Sequence, residues 1–258
     1  MIRTSLKRAA ARTIVILAVT LATVLSAMEM IGNQQFGWWR GEPVLQNQPP
    51  ATGFVAARWH FGTNGNIRHM GWAHNYPYSD QNLNNFLTRA TGIDVQRASY
   101  RIVELGSDEV FDYPFAYVSE PGEMQLTDQE VVNLREFVLR GGFILVDDFD
   151  GSWQFEQLRA QIRRAFPRKD LVPLSVDEQI FHINFDLTNF DRMAANVPGG
   201  EITYYGLHDD KDRLVLVAGH NNDLANFWEW YDQPSMPLEP AADAFRLGTN
   251  VVLYSLTH

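Results

Sequence analysis

The stretch "GGFILVDDFDG", Gly141 to Gly151, decides how this chain folds. Two glycines end whatever helix precedes it. Phe143 to Val146 is an unbroken apolar run, the pattern of a strand buried on both faces of a parallel sheet. The run closes on Asp147, Asp148 and Asp150. Ser152 to Phe166 then has helical spacing, and Pro167 stops it. A strand, an acidic turn and a helix make one unit of an α/β sheet, and open sheets of this kind bind ligands beyond the carboxyl ends of their strands. The three aspartates are therefore crevice candidates. Side chains alternate along a strand, so Asp147 and Asp148 should face opposite ways and should not share an ion unless the strand has already ended. Oxygen ligands would suit Ca²⁺ or Mg²⁺. The alternative is that one carboxylate caps the Ser152 helix or bonds loop amides while the others meet water.

Upstream, "TDQE" (Thr127–Glu130) has the spacing of a capping box, with Thr127 at the N-cap. Val131, Leu134, Val138 and Leu139 give the helix its apolar face. Pro114–Glu120 and Phe54–Phe61 read as strands, and Ile93–Arg97 as a short one. Ser79 or Asp80 is the expected cap of a helix running through Arg89. Downstream, Leu171–Ser175 and Ile180–Leu187 read as extended. Ile202–His220 reads as a hairpin around Asp209–Asp212, and Pro240–Leu256 as a last helix. Strands alternating with helices predict a mostly parallel, doubly wound sheet with an antiparallel extension near the end.

The 258 residues include no cysteine, which removes disulfides, thiolate metal sites and thiol nucleophiles. Arg3, Lys7, Arg8 and Arg12 make a basic tail over residues 1–12, while the rest of the chain carries 17 basic and 31 acidic residues. A body this acidic is a poor binder of phosphate backbones, so no nucleic-acid partner is expected. Residues 13–28 carry no charge, and with Glu29, Met30 and Ile31 the helical run over residues 13–31 reaches 19 residues, roughly 28 Å and close to one bilayer core. With the basic residues ahead of it, a retained anchor would leave the tail in the cytoplasm and the body outside, on the periplasmic side of an inner membrane. The alternative is a cleaved signal segment ending near Ala27. Phe36, Trp38 and Trp39 suit a membrane interface or a cap on the following domain. Residues 32–52 form a proline-bearing linker, and the α/β domain is expected over residues 53–258.

Taken together, "YPFAYVSEPGEMQLTDQEVVNLREFVLRGGFILVDDFDG", "IFHINFDL", "NNDLANFWEW" and "RLGTNVVLYSLTH" resemble the bacterial family catalogued as domain of unknown function 4159. The resemblance spans about residues 53–258. It implies a flavodoxin-like three-layer sandwich similar to class I glutamine amidotransferases, and no established reaction. Such sheets carry a cysteine nucleophile on the elbow after a central strand. The comparable positions here hold Asp148 and Phe149, so thiolate amidotransferase chemistry is excluded.

Beyond the elbow, "HNNDLANFWEW" (His220–Trp230) places His220, Asn222, Asp223 and Glu229 beside Trp228 and Trp230, a mixture able to hold a sugar or peptide. The simpler reading is a loop folded by its tryptophans, with Asp223 in an Asx turn. His60, His69 and His74 are metal-ligand candidates, although separations of nine and five match no compact zinc motif. His182 lies in apolar sequence and is expected to be buried on a backbone partner. No phosphate loop, dinucleotide fingerprint or serine elbow is present, so no cofactor is expected. These features predict a non-enzymatic, membrane-anchored accessory or scaffold subunit of a larger membrane complex, such as a respiratory or photosynthetic one. Two alternatives stay open. One is a periplasmic metal-assisted hydrolase of envelope glycans or peptides using Asp148, Asp150, Asp223 and Glu229. The other is a small-ligand binding module.

Overall fold

A computed structural model of the chain describes residues 46–63 and 71–258. The anchor-like run, the aromatic segment at Phe36, Trp38 and Trp39, and His69 lie outside the described residues. Among those described, no helix is long and apolar enough to cross a membrane.

The fold is mixed α/β. Seven strands form one sheet: β1 (Ala56–His60), β2 (Tyr100–Glu104), β3 (Phe115–Ser119), β4 (Phe143–Phe149), β5 (Val172–Pro173), β6 (Thr203–His208) and β7 (Leu214–His220). Their order is β2-β1-β3-β4-β7-β6-β5. Pairing is parallel from β2 across to β7, and β6 and β5 extend the sheet antiparallel. Five α-helices are described: α1 (Tyr78–Ala90), α2 (Asp128–Leu139), α3 (Gly151–Ala165), α4 (Leu224–Trp230) and α5 (Leu238–Thr257). Helices α2 and α3 cover one face through Val131, Leu134, Phe137, Leu158 and Ile162. Helices α1, α4 and α5 cover the other through Leu87, Phe227, Trp228, Leu247 and Val251. This layering and strand order are consistent with a flavodoxin-like sandwich.

Strand β4 takes the central place its apolar run predicts, with Phe143 to Val146 all buried. The capping box also forms: Glu130 N–H donates to Thr127 Oγ1 at 3.3 Å, and Thr127 N–H donates to Glu130 Oε2 at 2.7 Å. Gly141 stops α2 at φ +94°, in the left-handed region that glycine enters without a Cβ clash. The β6–β7 hairpin turns at Asp209–Asp212.

Several expectations are corrected. Ile93–Arg97 is no strand, because its backbone closes a turn in which Gln96 N–H bonds Ser99 Oγ and Ser99 N–H returns to Gln96 O. The edge strand is Tyr100–Glu104 instead. Its open side is met by side-chain amides: Gln46 exchanges two bonds with Ile102, and Asn47 Nδ2 donates to the carbonyls of Ala98 and Tyr100. Ser79 and Asp80 do not cap α1, whose N-cap is Pro77, because both turn to Arg58. Leu139 is 63% exposed and Phe137 is buried in its stead, packed edge-on against Trp59 at 4.8 Å. Ile180–Leu187 forms no strand, since Asn250 Oδ1 accepts the amides of Asn184 and Phe185 that a ladder would need. His182 has its backbone partner, Val176 O at 2.8 Å, but its ring is part-exposed and also bonds Asp186. "DLANFWEW" is the helix α4 with Asp223 as its N-cap, not a loop.

Candidate metal centre at the carboxyl ends of the strands

The strand order reverses between β1 and β3: β2 lies to one side of β1, and β4 and β7 lie beyond β3. A doubly wound sheet leaves its crevice at such a switch point. The loops that follow β1, β3 and β7 deliver His74, Glu120 and Asp223, and the end of β4 itself delivers Asp148.

Backbone strain marks the same place. Outside glycine, five described residues have positive φ: Asn75 (60°), Glu120 (47°), Asp148 (61°), Asp212 (64°) and Asn221 (62°). Asp212 belongs to the hairpin turn. Each of the other four is a ligand candidate or lies within two residues of one. A side chain in this region costs on the order of 1 kcal/mol, and such residues concentrate at functional sites. At Asp148 the strain also breaks the strand: the β4–β7 register shifts between Val146 and Phe149. Asp148 N–H leaves the ladder for Asn222 O at 3.2 Å. Strict alternation therefore ends one residue early, and Asp148 joins the cluster while Asp147 stays beneath it.

His74 Nδ1 lies 2.5 Å from Asp148 Oδ2 and 2.9 Å from Glu120 Oε1. Single ligand atoms of His74, Asp148 and Asp223 all lie within 4.8 Å of one another. Ligand atoms about 2.1 Å from a shared ion stand roughly 3–4 Å apart, so the side chains need close by only about an ångström to hold a cation. Asp223 is anchored meanwhile, since its Oδ1 accepts Asn226 N–H at 2.8 Å as the helix cap. Two buried oxygens, Asn75 Oδ1 and Ser119 Oγ, adjoin His74 and Glu120 in sequence and have no hydrogen-bond partner.

The electrostatics fit a site waiting for positive charge. Burial works against a proton on His74, but hydrogen bonds to Asp148 and Glu120 outweigh it and raise the imidazole to about 10. Burial and the neighbouring Asp148 charge push Asp147 up to about 7, opposed by the amides of Leu224 and Ala225 and by the Tyr117 hydroxyl. Burial, then Asp148 and Asp147, hold Asp223 well above the ordinary carboxylate range. Without a cation, a protonated His74 balances carboxylates that repel one another. A divalent ion would displace that proton and relieve the same repulsion.

The other sequence candidates are distributed around this centre. Asp150 stands at the N-cap of α3 without a side-chain cap bond. Glu229 is buried, and its Oε2 accepts from Asn75 Nδ2 at 2.7 Å, tying α4 to the residue after His74. His220 reaches Gly151 O at 3.2 Å. Asn222 is buried between Tyr204 and Ala194. Trp228 is 2% exposed, within the core, and Trp230 follows it at the end of α4. His60 faces Glu104 at 2.6 Å and packs at a tilt against Trp72, outside the cluster. Sequence reasoning did not single out Glu120. Its signal is the Pro121-Gly122 pair, which marks a sharp turn directly after a buried strand.

No curated protein matches the chain. Residues 62–256 match the family described as Domain of unknown function (DUF4159), and the chain belongs to that family.

Proposed function

We propose that this domain is a divalent-cation-dependent hydrolase of cell-envelope glycans or peptides, working at the carboxyl ends of the sheet. The observation that carries this reading is the convergence of His74, Asp148 and Asp223 within 4.8 Å. Three protein ligands with positions left for water are the arrangement of catalytic centres, and mixed nitrogen and oxygen donors suit Zn²⁺ or Mn²⁺ better than Ca²⁺. When bound, the cation would supply a Lewis acid and a water made acidic enough to attack at neutral pH. The chain's part is to hold the ligands, to accept a proton at Glu120 beside His74, and to keep α4 in place.

The finer fold assignment, to the amidotransferase-like class, draws support from Asp148: a left-handed residue at the end of a central strand, just before a helix, is how such an elbow is built. An aspartate there supports ligation in place of thiol chemistry. Location is proposed on sequence grounds, from the basic tail and the apolar run at residues 13–31, which would tether the domain outside an inner membrane. The tether is compatible with a place in a larger membrane complex, and the crevice favours activity over a purely structural role.

Equilibrium dialysis of the full-length chain against Zn²⁺, Mn²⁺, Mg²⁺ and Ca²⁺ tests the centre. The expected result is one tightly held Zn²⁺ or Mn²⁺, lost in His74→Ala. Digestion of purified envelope material with and without EDTA tests the reaction. Hydrolysis that survives both EDTA and alanine at Asp148 and Asp223 would overturn it.

A further inference from the structure

Beneath the cluster runs a line of buried polar groups that the cation itself would not touch. Arg58, on β1, is 1% exposed. Its Nη1 donates to the carbonyls of Trp72 and His74, both at 3.0 Å, so it holds the loop that carries His74. Its charge is balanced by Asp80 at 2.7 Å. The guanidinium lies over the Tyr117 ring, 4.6 Å from the centroid. Tyr117 in turn donates its hydroxyl to Asp147 Oδ2 at 2.9 Å. Asp147 is fully buried and accepts the amides of Leu224 at 3.2 Å and Ala225 at 3.1 Å, the first two residues of α4. The residue before them is Asp223.

Resting on the cation reading above, we propose that Asp147 is a positioning residue, and that the Arg58–Tyr117–Asp147 line sets the distance between His74 and Asp223. The two ligands come from loops 149 residues apart in sequence. Each loop is bonded to one end of this line. Asp147 satisfies the α4 amides that have no partner within the helix, and Asp223 satisfies the next one, at Asn226. A second strut, Glu229 to Asn75, joins the far end of α4 to the residue after His74. Loss of either end of the line should let the ligands drift apart without removing any of them. Partners of this kind around metal ligands typically contribute 10–100-fold in affinity.

The test is titration of the full-length chain with Co²⁺, followed by visible absorption, which reports both affinity and coordination geometry. Tyr117→Phe removes only the hydroxyl, and Asp147→Asn disturbs the amide contacts. Val138→Ala, under the opposite face of the sheet, controls for a general loss of stability. Both spine variants should bind Co²⁺ about 10–100-fold more weakly, with an altered band, while Val138→Ala melts earlier but binds as the parent does. If Asp147→Asn does not fold, Tyr117→Phe decides alone. Parent-like affinity and band in the spine variants would overturn the positioning role and leave the cation centre standing. Equal weakening in Val138→Ala would also overturn it. A parent chain that takes up no Co²⁺ would sink the cation reading, and the positioning role with it.

Discussion

Against α2 and α3 the sheet presents Trp59, Val118 and Val146, and the layer is closed by aliphatic and aromatic packing. Against α1, α4 and α5 the alternate residues of the same three strands are Arg58, Tyr117 and Asp147. One strand thus supplies grease to one side and a buried hydrogen-bonded group to the other. The apolar face is the cheaper way to build a stable layer. A buried ionic line is often no more stabilising than hydrophobic residues of the same volume, so stability alone does not account for this one. Its use, on our reading, is to hold four strand ends in a strained arrangement.

The contrast can be broken most directly at Arg58. Arg58→Ala leaves the largely covered Asp80 carboxylate without its counter-charge, and should cost about 3–5 kcal/mol in urea unfolding. A loss below about 1 kcal/mol would mean that the two faces do not differ as described. Next in size is the cation itself. At a concentration 100 times its Kd, a bound ion should stabilise the fold by about 2.7 kcal/mol, seen as a rise in Tm that His74→Ala abolishes. Because His74 keeps its proton up to about 10, uptake should release at least one proton, and affinity should climb as pH rises towards that value. Calorimetry in buffers of different ionisation enthalpy reads the number released. On the apolar face, Thr127→Ala removes the capping box and should cost about 1 kcal/mol with no change in cation affinity. The smallest effect belongs to the surface. Arg159 and Arg163 hold the Asp170 carboxyl below its usual range. A depressed carboxylate contributes stability above its unfolded pKa of about 3.9 and loses it as pH falls. Asp170→Asn should therefore lower stability slightly at neutral pH and flatten the acid limb of a melting curve, the variant and the parent converging as pH falls below about 4.

The same division governs what could be read in the sequence. The capping box, the β4 run and the β6–β7 hairpin are local patterns, and each stands where its residues predict. The apolar face is made of such patterns. The cation centre is not. His74, Glu120, Asp148 and Asp223 span most of the domain, and only the strand order brings them together. Asp148 was legible as a strand end, but its left-handed backbone was not, so alternation placed it on the wrong basis. Asp223 carried a readable signal, since aspartate before an apolar segment favours an N-cap, yet seven helical residues are too few to show a clear period. Ser79 and Asp80 misled for the opposite reason: their cap chemistry is real, but a distant arginine claims it.

The brevity of α4 has a consequence for measurement. A helix of seven residues is not stable alone, so α4 persists only while its anchors hold it. The amides of Leu224 and Ala225 are shielded by a carboxylate rather than by a helical carbonyl. Their exchange with deuterium should then act as a local clock, slow when a cation locks the anchors and quick when they loosen, while the amides of β4 keep the pace of global unfolding.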